Sequence, residues 1–175
     1  MARFQSQYEL SAYDAGVLTE SREVADYYEA AVAACGDAKA CSNWVMGDLM
    51  HQLNQTNLGI TDCPVSPERL GELVAVIREG TISHNIAQQV FPKMWETGRS
   101  PREIIAAENL ALISDTAAIE QLVDEAIAAN PKAVADYRGG KEKAIGAIQG
   151  HVMRATKGQA NAQVVNALIL EKLKS

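Results

Sequence analysis

Cysteine is scarce and poorly spaced for cross-linking. The three present, Cys35, Cys41 and Cys63, are an odd number with no Cys-x-x-Cys spacing, which argues against a disulfide framework and against a thiolate zinc site. Glycine and proline are also few, 12 and five in 175 residues, too little for a fibrous or linker-type chain. Charges interrupt every apolar run before the ~18 residues that a membrane span needs. The opening MARFQSQYEL has no apolar core of a secretory signal. No Walker-type phosphate loop occurs, and no GxGxxG follows a strand. These absences predict a reduced, soluble, cytoplasmic protein without a recognisable nucleotide site.

What is present is ordinary globular material, 47% hydrophobic and 22% charged. The net charge of −6 conceals an asymmetry. Residues 1–131 carry eight Lys and Arg against 19 Asp and Glu, a balance of −11, whereas residues 132–175 carry eight against three, a balance of +5. A polyanion repelled by the body can still bind the end, so the whole-chain isoelectric point is a poor guide.

The apolar period is helical throughout. Ser21 caps a helix with Val24, Tyr27, Tyr28, Ala31 and Cys35 on one face, stopped by Gly36. Asp37 caps a longer one striped with Ala38, Cys41, Val45, Leu49 and Leu53, and the turn-rich residues 54–64 follow. Ser66-Pro67 and Ser100-Pro101 are cap-plus-proline helix starts. Thr81 or Ser83 starts a helix through Ile86, Ala87, Val90 and Met94, which Pro92 should kink or shorten. After a short apolar linker at 110–113, Asp115 caps a helix ending at Asn130, and Pro131 opens another that stops at Gly139-Gly140. A helix over 141–156 is broken by Gly158, and Asn161 caps the last one. The expectation is an all-α chain of two small helical units, residues 1–109 and 110–175, joined near 105–114.

Catalytic chemistry has little to stand on. His51, His84 and His151 are scattered without ligand spacing, and the carboxylate pairs Asp124-Glu125 and Glu20 with Glu23 fall on solvated helix faces. Tyr27, Tyr28, Trp44 and Trp95 have the spacing of core aromatics more than of base-stacking ones. One surface carries a physical argument. At ~100° per residue, Ala144, Ile145, Ile148, Val152 and Ala155 share a side of the 141–156 helix, and Lys143, Gly146, Gly150, Arg154 and Lys157 share the opposite side. Each mid-helix glycine costs about 1 kcal/mol relative to alanine. That cost makes sense where something approaches the backbone closely, either a phosphate chain or another helix of the same protein.

At these residues the chain resembles a known family. The stretch from Gly140 to Leu173, GKEKAIGAIQGHVMRATKGQANAQVVNALILEKL, is similar to the closing segment of the B subunit of the tRNA-dependent amidotransferase, which also defines the small YqeY-like helical domain. Blocks such as NWVMGDLMHQLNQTNLGI and ISDTAAIEQLVDEAIAANPKAVADYRGGK extend the resemblance to nearly the whole chain. It implies the tail of a longer protein, a helical domain followed by a YqeY-like domain, that binds tRNA(Gln) and tRNA(Asn) while other domains and subunits carry out ATP- and glutamine-dependent carbon–nitrogen ligation. It implies no catalytic residue, metal or cofactor in this chain, ATP and magnesium belonging to the catalytic domain. The RNA-binding positions it implies are Lys141, Lys143, Gly146, Gly150, Arg154, Lys157, Gly158 and Asn161. The chain departs from the family pattern at His84-Asn85, Gln88, Gln159 and Ala162, with a loss of three positive charges. Either those positions do not touch phosphate, or this tail binds tRNA more weakly than its relatives. A helical module that packs against a partner subunit is the alternative.

Overall fold

The computed structural model describes residues 1–113 and 115–174. Ser114, in the expected joining segment, and Ser175 lie outside the described residues. The chain is all-α. Among the described residues, extended pairing is confined to an isolated parallel bridge between Ile113 and Ala160, and no helix is long and apolar enough to cross a membrane. Contacts divide the chain into two units, Met1–Thr81 with Ala87–Asn109, and Ile82–Ile86 with Leu110–Ser175.

The first unit opens with two helices that periodicity did not reveal, α1 (Ala2–Tyr8) and α2 (Ala12–Leu18). Seven residues make too few turns to display a stripe, and α1 buries only Phe4. Phe4 sits 5.3–5.4 Å from the rings of Tyr8 and Tyr28, so an aromatic cluster, not a long apolar face, holds α1 down. Helix α3 (Arg22–Cys35) has its Ser21 cap and its left-handed Gly36 stop.

The single helix expected after Asp37 is three segments, α4 (Ala38–Trp44), a π turn (Val45–Leu49) and α5 (Met50–Thr56). Its buried stripe of Cys41, Val45, Leu49 and Leu53 steps by four residues. In a regular α-helix each such step drifts by ~40°. A wider π turn in the middle cancels the drift and keeps the stripe pointing inward.

Helices α6 (Pro67–Arg78), α7 (His84–Thr97) and α8 (Pro101–Ala107) follow. Pro92 does not shorten α7, which continues to Thr97. Both Pro92 and Gln88, whose carbonyl would have taken the missing N–H, are exposed, so water can meet that carbonyl. Ser100 and Glu103 form a complete capping box at the start of α8.

The second unit is built from α9 (Thr116–Ala129), α10 (Pro131–Arg138), a 3-10 turn (Glu142–Ala144), α11 (Ile145–Ala155) and α12 (Ala162–Lys174). Ile119, Val123, Ala126, Ile148, Val152, Val165 and Ile169 make its core, with Leu122, Val164 and Leu168 partly buried around them. Two expectations for the 141–156 helix are corrected. Its first turn is 3-10, so Lys141 and Lys143 precede the α-helix. Ala155 is exposed, and the next residue, Thr156, is the buried one. Thr156 can be buried because its hydroxyl donates to the Val152 carbonyl at 2.9 Å and accepts the Ala160 N–H at 3.3 Å.

Candidate nucleic-acid interface

Helix α11 presents its polar side because Ile148 and Val152 commit the other side to the core. Gly146, Gly150 and Arg154 recur every four residues along that side, with Lys143 just before the helix and Lys157 just after it. Lys143, Gly146, Arg154 and Lys157 are exposed and Gly150 is half-buried. A Cβ built on Gly146 meets no atom within 4 Å, and one on Gly150 meets only the Arg154 guanidinium, at 3.5 Å. No helix of the described residues therefore packs into this glycine face.

The charges divide into two classes. Lys172 reaches Glu120 at 3.0 Å and Asp124 at 2.7 Å, and Lys141 reaches Asp136 at 2.9 Å. Hydrogen bonds to the two carboxylates hold the Lys172 ammonium above the ordinary lysine range. Lys143, Arg154 and Lys157 have no carboxylate partner among the described residues. These three exposed cations can meet a polyanion without first breaking an ion pair.

The exit from α11 is shaped by its backbone. Lys157 (φ 51°) and Gly158 (φ 82°) are both left-handed. The Gly158 N–H returns to the Met153 carbonyl at 2.8 Å and the Lys157 N–H to Arg154 at 3.1 Å, a Schellman-type closure. Those amides are used internally, so any anion here is met by side chains and not by a backbone nest. A left-handed lysine costs about 1–2 kcal/mol against a right-handed one, a cost glycine would not bear. Arg154 and Lys157 also complement the carbonyl end of the helix dipole, which gives them a structural use as well.

Of the eight positions expected from sequence, Gly146, Gly150 and Arg154 share this side of α11, and Lys143 and Lys157 flank the helix. The other three have local work. Lys141 is paired with Asp136, Gly158 closes the helix, and Asn161 caps α12 by accepting the Gln163 N–H at 2.9 Å and the Val164 N–H at 3.4 Å. Lys132 is not among the expected positions. It rims a cleft of about 360 Å³ with Asn130, Asp136, Ala144 and Ala147, and its one signal in sequence is membership of the basic tail. No group of three or more His, Cys, Asp or Glu side chains able to hold a metal ion occurs among the described residues.

The GatB domain family matches residues 26–173. The chain belongs to this family. Relatives named as the B subunit of aspartyl/glutamyl-tRNA(Asn/Gln) amidotransferase are similar along almost its full length. The Nitrosococcus oceani protein is 53% identical over 172 residues, 98% of this chain and 36% of the relative. The Prosthecochloris aestuarii protein is 50% identical over 172 residues, with the same shares. That of Geobacter sulfurreducens is 48% identical over 173 residues, 99% of this chain and 36% of the relative. As a GatB domain, the chain spans little more than a third of the length of the curated relatives it matches.

Proposed function

We propose that this chain is the tRNA-binding part of an amidotransferase B subunit, holding misacylated Glu-tRNA(Gln) or Asp-tRNA(Asn) for a transamidation performed by other domains and subunits. The observation that carries this reading is the exposed α11 face, where Lys143, Arg154 and Lys157 lack carboxylate partners and Gly146 leaves open space. Phosphates settle against the glycines and the three cations neutralise them. Recognition of this type follows backbone shape more than base edges. Gly158 and Asn161 contribute by fixing the turn that carries Lys157, and Lys141 joins only by exchanging Asp136 for a phosphate. On this reading the chain is part of a ligase and holds no cofactor of its own. ATP and magnesium act in the catalytic domain.

Binding of the chain to tRNA(Asn) and tRNA(Gln), with an unrelated tRNA as control, tests the reading across a salt series. Affinity that falls steeply with salt supports it, because phosphate contacts release counterions. Absence of tRNA binding together with salt-insensitive association with another amidotransferase subunit supports a protein-docking module instead.

A further inference from the structure

We propose that Cys35 and Cys41 form a dithiol modification site, which a hydroperoxide closes to an intrachain disulfide. The two residues lie on either side of the corner between α3 and α4. Cys35 is the last residue of α3, Gly36 turns the chain in the left-handed region at φ 70°, and Asp37 caps α4. This corner brings the sulfur atoms to 2.9 Å, both buried. A disulfide bond is ~2.05 Å long, so closure draws the sulfurs together by less than about 1 Å. Cys63 is not part of the pair, since its thiol donates to the Val65 carbonyl at 3.2 Å.

The two thiols differ in a way that assigns roles. The Cys35 sulfur touches the Cys41 sulfur, either thiol being able to donate to the other, and accepts the Asp37 N–H at 3.3 Å. Those hydrogen bonds, with the Arg78 charge nearby, hold Cys35 below the ordinary thiol range. Cys41, fully buried against the Cys35 sulfur, is pushed up. Cys35 also retains 4% exposure where Cys41 has 0%. Cys35 is the attacking thiolate and Cys41 the resolving thiol.

In the first step the Cys35 thiolate attacks one oxygen of hydrogen peroxide, the O–O bond breaks, and a sulfenic acid forms with loss of hydroxide. In the second step Cys41 gives its proton to that hydroxide, its sulfur attacks the Cys35 sulfur, and the S–O bond breaks. The departing hydroxide takes a proton from solvent and leaves as water. Overall, two thiols and one peroxide become one disulfide and two waters, and the peroxide takes up two electrons.

The test uses the intact chain, treated with hydrogen peroxide, blocked with N-ethylmaleimide, unfolded and digested with trypsin without reduction. Lys39 lies between the two cysteines, so the expected disulfide joins peptide 23–39 to peptide 40–69, with a mass two hydrogens below their sum plus the maleimide on Cys63. Because peptide 40–69 also carries Cys63, the Cys63→Ser variant is run in parallel and should keep the cross-link. Cys35→Ala should lose it entirely. Circular dichroism confirms that each variant is folded. The proposal is overturned if the cross-link disappears in Cys63→Ser, if Cys35 proceeds to sulfinic acid while Cys41 stays blocked by maleimide, or if oxidation stops at Cys63.

Discussion

Gly71 on α6 lies directly against the backbone of Ala31 on α3. A Cβ at position 71 would stand 2.6 Å from the Ala31 carbonyl oxygen and 2.5 Å from the Ala34 methyl. The first is a backbone atom that cannot swing aside, so the α3–α6 contact requires glycine there. Gly71→Ala should destabilise the chain by about 1–3 kcal/mol through overpacking, despite the better helix propensity of alanine. Urea denaturation of the variant beside the parent measures it.

Gly146 is the opposite case. With open space around its missing Cβ, Gly146→Ala should raise stability by about 0.5–1 kcal/mol through helix propensity alone. A loss of stability in the same urea experiment would mean that the face is packed against something.

The cationic face makes a sharper prediction in RNA binding. Alanine at Lys143, Arg154 and Lys157 together should weaken all tRNAs similarly. It should also flatten the plot of log affinity against log salt by about one unit for each phosphate no longer neutralised. Gly146→Leu should block approach of the RNA without lowering the melting temperature, since leucine shares the helix propensity that favours alanine there. Unaltered tRNA affinity in the triple variant, measured by filter binding, would remove this face from the interface.

Alkaline pH should unfold the first unit through its tyrosines. Tyr27 is buried with its hydroxyl donating to the Val65 carbonyl at 2.7 Å, and burial pushes its ionisation upward. Burial does the same to Tyr28. Since the folded values lie above the unfolded one, the stability carried by the neutral hydroxyls is complete below about pH 10. It is lost as pH rises toward the folded values. Tyr27→Phe should cost about 0.5–1.5 kcal/mol at neutral pH and lessen the alkaline loss, which thermal melts at a series of pH values would show.

Limited proteolysis should cut first in residues 108–112, leaving a C-terminal piece that folds alone. Ile113 already belongs to that piece, because its N–H donates to the Gln159 carbonyl at 2.8 Å. First cleavage within residues 37–54 would place the boundary elsewhere.

Much of this protein was legible from local rules. Caps at Ser21, Asp37, Ser66, Ser100, Asp115 and Asn161 depend on residues three or fewer positions away. The stripe of α3 depends only on period, and the burial of Tyr28 and Trp44 follows from the same spacing. Short α1 escaped because its stability comes from a ring distant in sequence, Phe4 and Tyr8 against Tyr28, and α2 because its seven residues bury only Ala15 and Leu18 and show no stripe.

The sequence by itself determined the all-α class, the side-chain helix caps and the acidic-to-basic gradient, because each is set by neighbours along the chain or by counting charges. Tertiary structure alone decided which glycines serve packing. Gly71, Gly146 and Gly150 all sit inside helices, yet only Gly71 has a backbone pressed against it. It also decided which cations are free to meet a phosphate and which are occupied. Lys141 and Lys143 are two residues apart, and only Lys141 has a carboxylate in reach. The physical reason is the same in both cases. Close approach and charge pairing act through space between elements, and a linear pattern records what a residue can do without recording what stands opposite it.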